Sequence, residues 1–392
     1  MDVNSYRWKI LGLTYVCQLS FALVFQSVPP LLNLIVDEFK ITQAQAGLLM
    51  SLFAFPGVFL SILGGMICDR FGARKVGLAS LSLMILGTFF LGLSNSFVPM
   101  AFSRAVSGIG SALMAVVLPQ LLSRWFMHKE LGMAMGVFNT AMPLGTITSF
   151  NVLGFVGATL GWRASIFLTT VSSMGAFLLF LLLFKDPEPQ SKEPQAIAMH
   201  SLLRIGKPIW LTGLTWSLFN ASFISFLTFA PNLFMIKGYE ITSASFLTST
   251  VMMGSLFLSP LIGYLVKKFG REEVFIMIGG LSLATSIFSF SVINLPIPLT
   301  VLIALFAALV PAPIFSLPSK IVKPQNLGLA FGIMVTCSNA GVLIGPYLAG
   351  LAKDLTGEYI YSLYIMSLFN ILQAVTILLL HLIRNKTHTL NR

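Results

Sequence analysis

The side chains most able to do chemistry gather in one short stretch. Gly65-Met66-Ile67-Cys68-Asp69-Arg70-Phe71-Gly72-Ala73-Arg74-Lys75 sets one carboxylate among three cations, between two long apolar runs. Gly65 suits close helix packing at the end of an apolar run, and Gly72 suits a tight turn. Asp69, Arg70, Arg74 and Lys75 can exchange ion-pair partners, which makes the stretch a conformational latch rather than a catalytic centre. A second candidate is Arg104-x-x-x-Gly108-x-Gly110, where an arginine stands inside an apolar run. A cation buried in a bilayer costs about 2.5–3.5 kcal/mol on insertion scales and turns toward protein or a cavity. Arg104 therefore either contacts an anion or clamps backbone carbonyls, and its place toward one end of the run favours the clamp. A third set consists of mid-run amides and an indole: Gln18, Gln26, Asn139, Trp216, Asn220 and Asn339. Buried amides bond a polar ligand or a neighbouring helix.

Other chemistries are poorly provided for. The thirteen acidic residues (Asp2, Asp37, Glu38, Asp69, Glu130, Asp186, Glu188, Glu193, Glu240, Glu272, Glu273, Asp354 and Glu358) all lie at the ends of apolar runs or between them. His128, His200, His381 and His388 do the same. Cys17, Cys68 and Cys337 are scattered, which gives neither a disulfide framework nor metal-ligand spacing. No nucleophile–base set, metal site or cofactor motif is apparent, so the reading is of a non-enzyme without cofactors.

The elements that must position these residues are set by composition. The chain is 56% hydrophobic and only 9% charged, where soluble domains carry about a quarter charged residues. This is an all-α polytopic membrane protein. Crossing the hydrocarbon takes roughly 20 apolar residues. Twelve spans are predicted, at about 10–33, 45–67, 76–95, 98–121, 131–156, 164–184, 208–235, 244–266, 274–293, 298–319, 327–350 and 359–383. The proline- and charge-rich segment 186–207 reads as a linker. It separates an N-terminal six-helix bundle, 1–185, from a C-terminal one, 208–392. With the N-terminus inside, 19 of the 24 Lys and Arg residues fall on the cytoplasmic side. That bias puts both termini and the linker in the cytoplasm. It also accounts for the net charge of +11 without nucleic acid. Short outer loops without glycosylation sequons suit a bacterial or archaeal cytoplasmic membrane. The expected surroundings are the lipid bilayer and a small-molecule substrate, with the chain a monomer.

The first stretch matches Gly-x-x-x-Asp-Arg-x-Gly-x-Arg-Lys at every defining position. It resembles the loop signature of the major facilitator superfamily of secondary transporters, and the span 4 motif resembles that family's second signature. The halves also repeat. Ile41-Thr42 returns as Ile241-Thr242, and Gly65…Arg70-Phe71-Gly72 as Gly263…Lys268-Phe269-Gly270. Leu131-Gly132-x-Ala134-x-Gly136 returns as Leu327-Gly328-x-Ala330-x-Gly332. Near-constant offsets of 200, 198 and 196 indicate internal duplication. Lys267 replaces Asp69 in the second copy, so the latch is asymmetric.

The resemblance implies two pseudo-symmetric bundles in which spans 1, 4, 7 and 10 line a cavity, flanked by 2, 5, 8 and 11. Exporters of the family carry Gly-x-x-x-Gly-Pro in span 5. Here Met142-Pro143 breaks it, and the pattern stands in span 11 as Gly341-x-x-x-Gly345-Pro346. Pro29-Pro30, their counterpart Pro231, and Pro311, Pro313 and Pro318 are candidate gating bends. The expected function is alternating-access transport of a small polar organic solute, neutral or anionic. It would run by facilitated diffusion, exchange, or coupling through a peripheral acid such as Asp37 or Glu38. The alternatives are an efflux pump for hydrophobic compounds, which 34 phenylalanines permit, and a sensor or scaffold on a transporter fold.

Overall fold

A computed structural model describes residues 3–126, 129–184, 205–323 and 326–390. No strand occurs among the described residues. In hydrocarbon every backbone N–H and C=O needs an internal partner, which makes the helix the economical way across. Each apolar run is accordingly helical, and twelve helical segments are long and apolar enough to span. Most helices continue past the apolar run by a few residues, into polar ends that stay hydrogen-bonded.

The helices are α1 Val3–Phe25, α2 Leu32–Phe39, α3 Gln43–Phe71, α4 Ala73–Leu93, α5 Phe97–Trp125, α6 Lys129–Thr148, α7 Gly154–Leu160 and α8 Trp162–Leu183. They are followed by α9 Lys207–Ile236, α10 Ile241–Phe269, α11 Glu272–Val292 and α12 Pro296–Ala307. The last are α13 Pro311–Ser316, α14 Pro318–Ile321, α15 Leu327–Thr356 and α16 Tyr359–Leu390. Spans 1, 5 and 10 are built from more than one helix. Span 1 breaks between α1 and α2 and restarts through a 3₁₀ turn at Pro29–Leu31. Span 5 carries a π turn at Ser149–Leu153. Span 10 is cut before Pro311 and Pro318, whose missing N–H groups cannot continue the ladder. Pro231 behaves differently from Pro29-Pro30. It lies inside an uninterrupted α9, without the helix break that Pro29-Pro30 marks in span 1.

The chain divides by packing into two units, one of Met1–Ile41 with Leu52–Ala196 and one of Thr42–Ser51 with Ile197–Arg392. The expected linker 186–207 lies almost wholly outside the described residues. In the first unit α4 packs on α5 and α8, and α1 on α6. In the second, α9 packs on α15 and α16, and α11 on α16. The α9–α15 seam is tight because Gly341 and Gly345 face carbonyls. A Cβ at either would stand 2.0 Å from the Ser217 oxygen or 2.2 Å from the Ala221 oxygen. Small residues at such crossings are how membrane helices approach closely.

Acidic residues at the span ends tie neighbouring helices together. Arg7 of α1 pairs with Glu130 of α6, Lys320 of α14 with Glu272 of α11, and Arg384 of α16 with Glu273 of α11.

Candidate functional site

The latch stretch forms the turn between α3 and α4. Gly72 takes φ +85°, a conformation that favours glycine, and its N–H donates to the Cys68 carbonyl at 2.9 Å. Gly65 is less constrained than its place in the motif suggests, since a Cβ there would meet only Gln120 Nε2 at an ordinary 3.7 Å. The tighter glycine is Gly64, 3.0 Å from Val116 Cγ2. The charges do not pair among themselves. Asp69 meets Arg124 at the end of α5, at 3.5 Å, with both side chains well exposed. Arg74 donates to the Leu181 carbonyl, and Arg70 lies over the Phe71 ring. Lys75 is exposed. The partner that Asp69 has here lies outside the motif: it is Arg124, 55 residues downstream. Only a helix-end cation at the close of span 4 could have signalled this.

Arg104 is fully buried in α5. Its Nη1 donates to the Val24 carbonyl at 2.9 Å and its Nη2 to the Phe25 carbonyl at 3.1 Å. These carbonyls close α1, where the break at Gln26–Val28 takes away part of the backbone ladder. The guanidinium also lies 4.5 Å from the centre of the Phe53 ring. Arg104 is thus a clamp on the interrupted span 1. Gly108 and Gly110 let the clamp's helix seat. A Cβ at Gly108 would stand 2.2 Å from the Phe53 oxygen, and one at Gly110 2.3 Å from the Ser80 oxygen.

The predicted amides divide between the units. In the first, Gln26 is buried beside the break; its carbonyl accepts from Ser149 Oγ at 2.7 Å, and its side-chain Oε1 has no partner. Gln18 is half-buried on α1. Asn139 is exposed on α6, in line with exposed Gly132 and Gly136, and Thr140 beside it donates to Tyr15. In the second unit, Asn220 Nδ2 donates to the Trp216 carbonyl at 2.8 Å, and Asn339 Nδ2 to the Val335 carbonyl at 3.0 Å. Each amide nitrogen thus spends one of its two hydrogens within its own helix.

An aromatic ladder accompanies Asn220. Trp216 stacks on Phe219 and Phe219 on Phe223, each with centroids 5.2 Å apart. Trp216 meets Phe315 of α13 edge-on at 5.1 Å, and Phe315 stacks on Phe331 of α15. Rings from three helices, α9, α13 and α15, thereby meet. The sequence marked Trp216 but not Phe315 or Phe331, whose apolar runs look like any other.

Glu38 is less free than a coupling acid would need to be. Its carboxylate accepts from Trp162 Nε1 at 2.7 Å and Arg163 at 2.6 Å. Asp37 is exposed. No cluster of three or more metal-ligating side chains occurs among the described residues.

The family model described as "Major Facilitator Superfamily" matches residues 14–250 and 236–392. The chain is 27% identical to the lysosomal dipeptide transporter MFSD1 of Danio rerio, covering 97% of this chain and 88% of that protein. It is 24% identical to the hexuronate transporter of Bacillus subtilis, covering 83% of each. Among solved structures, the nucleoside transporter NupG superposes with a TM-score of 0.80 at 14% identity, over 96% of this chain and 99% of that one.

Proposed function

Because the chain belongs to the major facilitator superfamily, we propose that it moves a small, net-neutral polar solute of dipeptide size across a membrane by alternating access. The observation that carries this reading is the commitment of Arg104. It is the one cation well inside a span among the described residues, and its guanidinium is bonded to the Val24 and Phe25 carbonyls. No other interior cation is there to neutralise an anion, so charge balance favours a solute that brings its own. Rings and amides then supply apolar contact and hydrogen bonds, which suits a zwitterion with an apolar side chain. The dipeptide relative supports the same class. A small carboxylate such as a uronate is the second reading, favoured by the hexuronate relative.

Without an acid or histidine inside the spans, the solute moves by facilitated diffusion or exchange. The cation bias supports a bacterial or archaeal cytoplasmic membrane with both termini inside, and bundles of 1–185 and 208–392. Proteoliposomes preloaded with unlabelled leucyl-glycine should accumulate the labelled dipeptide by counterflow, at a rate indifferent to an imposed pH gradient. Uptake of labelled glucuronate and not of the dipeptide would sink this reading in favour of the second.

The Gly65–Lys75 turn acts as the latch through Asp69 and Arg124. An exposed pair at 3.5 Å contributes little to stability. Asp69→Asn should therefore leave the unfolding midpoint unchanged while slowing counterflow about two- to fivefold, as expected if the pair re-forms in each cycle. Unchanged flux would remove the latch role.

A further inference from the structure

The first turns of α3 carry an arrangement that neither signature motif includes. A helix leaves its first N–H groups without intrahelical partners. Here Thr42 and Gln45 cap each other: Gln45 N–H donates to Thr42 Oγ1 at 3.2 Å, and Thr42 N–H to Gln45 Oε1 at 2.9 Å. The N–H groups of Gln43 and Ala44 go instead to a residue some 310 positions away. They donate to the two carboxylate oxygens of Asp354, on α15, at 2.9 and 2.7 Å. A carboxylate straddling two N–H groups at a helix N-terminus gains both charge-assisted bonds and the favourable end of the helix dipole.

The backbones come equally close below this contact. A Cβ at Gly350, one turn before Asp354, would stand 2.1 Å from the Gln43 oxygen. A Cβ at Gly47, one turn after Gln43, would stand 2.1 Å from the Pro346 oxygen. Ser51 reaches toward the Val342 carbonyl at 3.5 Å. Positions 43, 47 and 51 thus run along 354, 350, 346 and 342, in steps of one helical turn on each side.

At its Asp354 end this seam differs from the buried α9–α15 seam. Asp354 is exposed, and Gln43 and Ala44 are half-exposed. Once parted, the carboxylate and both N–H groups can turn to water, and the Thr42–Gln45 cap still holds the helix end. Parting this end of the seam therefore costs little, whereas the turns below it, with Ser51 and Val342, are buried. The packing division of the chain also passes through α3, between Ser51 and Leu52, so these turns group away from the rest of their helix. On α15 the seam begins three residues after Asn339.

We propose that Asp354 is a positioning residue for transport: with Gly47 and Gly350 it forms a clasp on the N-terminus of α3 that is closed in one state of the cycle and open in another. The test needs no solute, so a wrong solute class leaves it standing. Cysteines are placed at Asp37 and Leu355, both exposed, in a chain whose three native cysteines are alanine. They are spin-labelled, and the protein is reconstituted in liposomes. Dipolar spectroscopy should show a shorter and a longer distance. Asp354→Asn, which keeps the shape and removes the charge, should shift the ratio about tenfold toward the longer. Gly350→Ala should remove the shorter. A residue that only capped a static helix would leave one distance in every variant. That outcome, or a ratio unmoved by Asp354→Asn, overturns the proposal. Should Gly350→Ala fail to fold, Asp354→Asn decides alone.

Discussion

Arg104→Leu is expected to lower the unfolding midpoint by roughly 2–4 °C, read by intrinsic fluorescence in detergent. The figure follows from what the guanidinium holds. The Val24 and Phe25 carbonyls close α1 just where span 1 breaks, and Arg104 donates to both. Leucine fills much of the space but offers no donor. The Val24 carbonyl keeps Ser27 Oγ, which donates to it at 2.9 Å, whereas the Phe25 carbonyl loses the guanidinium donor. A buried carbonyl left unpaired costs about 1–3 kcal/mol, and water cannot readily replace the partner in a membrane interior. A loss of roughly 2–3 kcal/mol corresponds to about 2–4 °C for a chain of this size. Arg104→Lys should recover less than half, because an ammonium is a point charge where two separate carbonyls need a fork. If Arg104 instead served an anionic solute, the leucine variant would keep its midpoint and lose only uptake.

That contrast also marks how far the sequence carries. Spans were legible because a membrane segment must be both apolar and long, and the order of hydrophobic runs reproduces the order of helices. The break in span 1 was half legible from Pro29-Pro30. Pro231 gave the same signal and no break in the helix, in the most buried of the twelve spans. The nature of the Arg104 site was legible from the cost of burying a cation. Its partners were not, because they are main-chain oxygens that any residue type would supply. Asp69 illustrates the same limit: its motif neighbours are the cations nearest in sequence, yet helix geometry brings Arg124 to it instead. Asp354 is the extreme case. It looks like any helix-end acid, and only the crossing of α3 and α15 gives it two N–H groups to hold.

Asn220→Ala and Asn339→Ala are expected to weaken dipeptide binding by roughly 5- to 150-fold each, the range set by losing one buried hydrogen-bond partner at about 1–3 kcal/mol. Both amides already donate to the carbonyl four residues back. The Asn220 side chain offers its oxygen, an acceptor suited to an ammonium or a peptide N–H, beside the second hydrogen of its amide. Aspartate at either position would keep the acceptor and add charge. Asn220→Asp should thus bind the dipeptide better than Asn220→Ala does, and an acidic solute worse. Gln26→Ala should behave differently from both. Gln26 is buried against the span 1 break, with its carbonyl held by Ser149, so its loss falls on stability before affinity. Trp216→Ala removes the first ring of the ladder beside Asn220. It should cost more for leucyl-glycine than for glycyl-glycine, since the ring offers apolar contact that only the larger side chain can use. Binding is read by competition against labelled leucyl-glycine on purified protein. If both asparagine variants bind as the parent does, the amide-and-ring face is not the solute's.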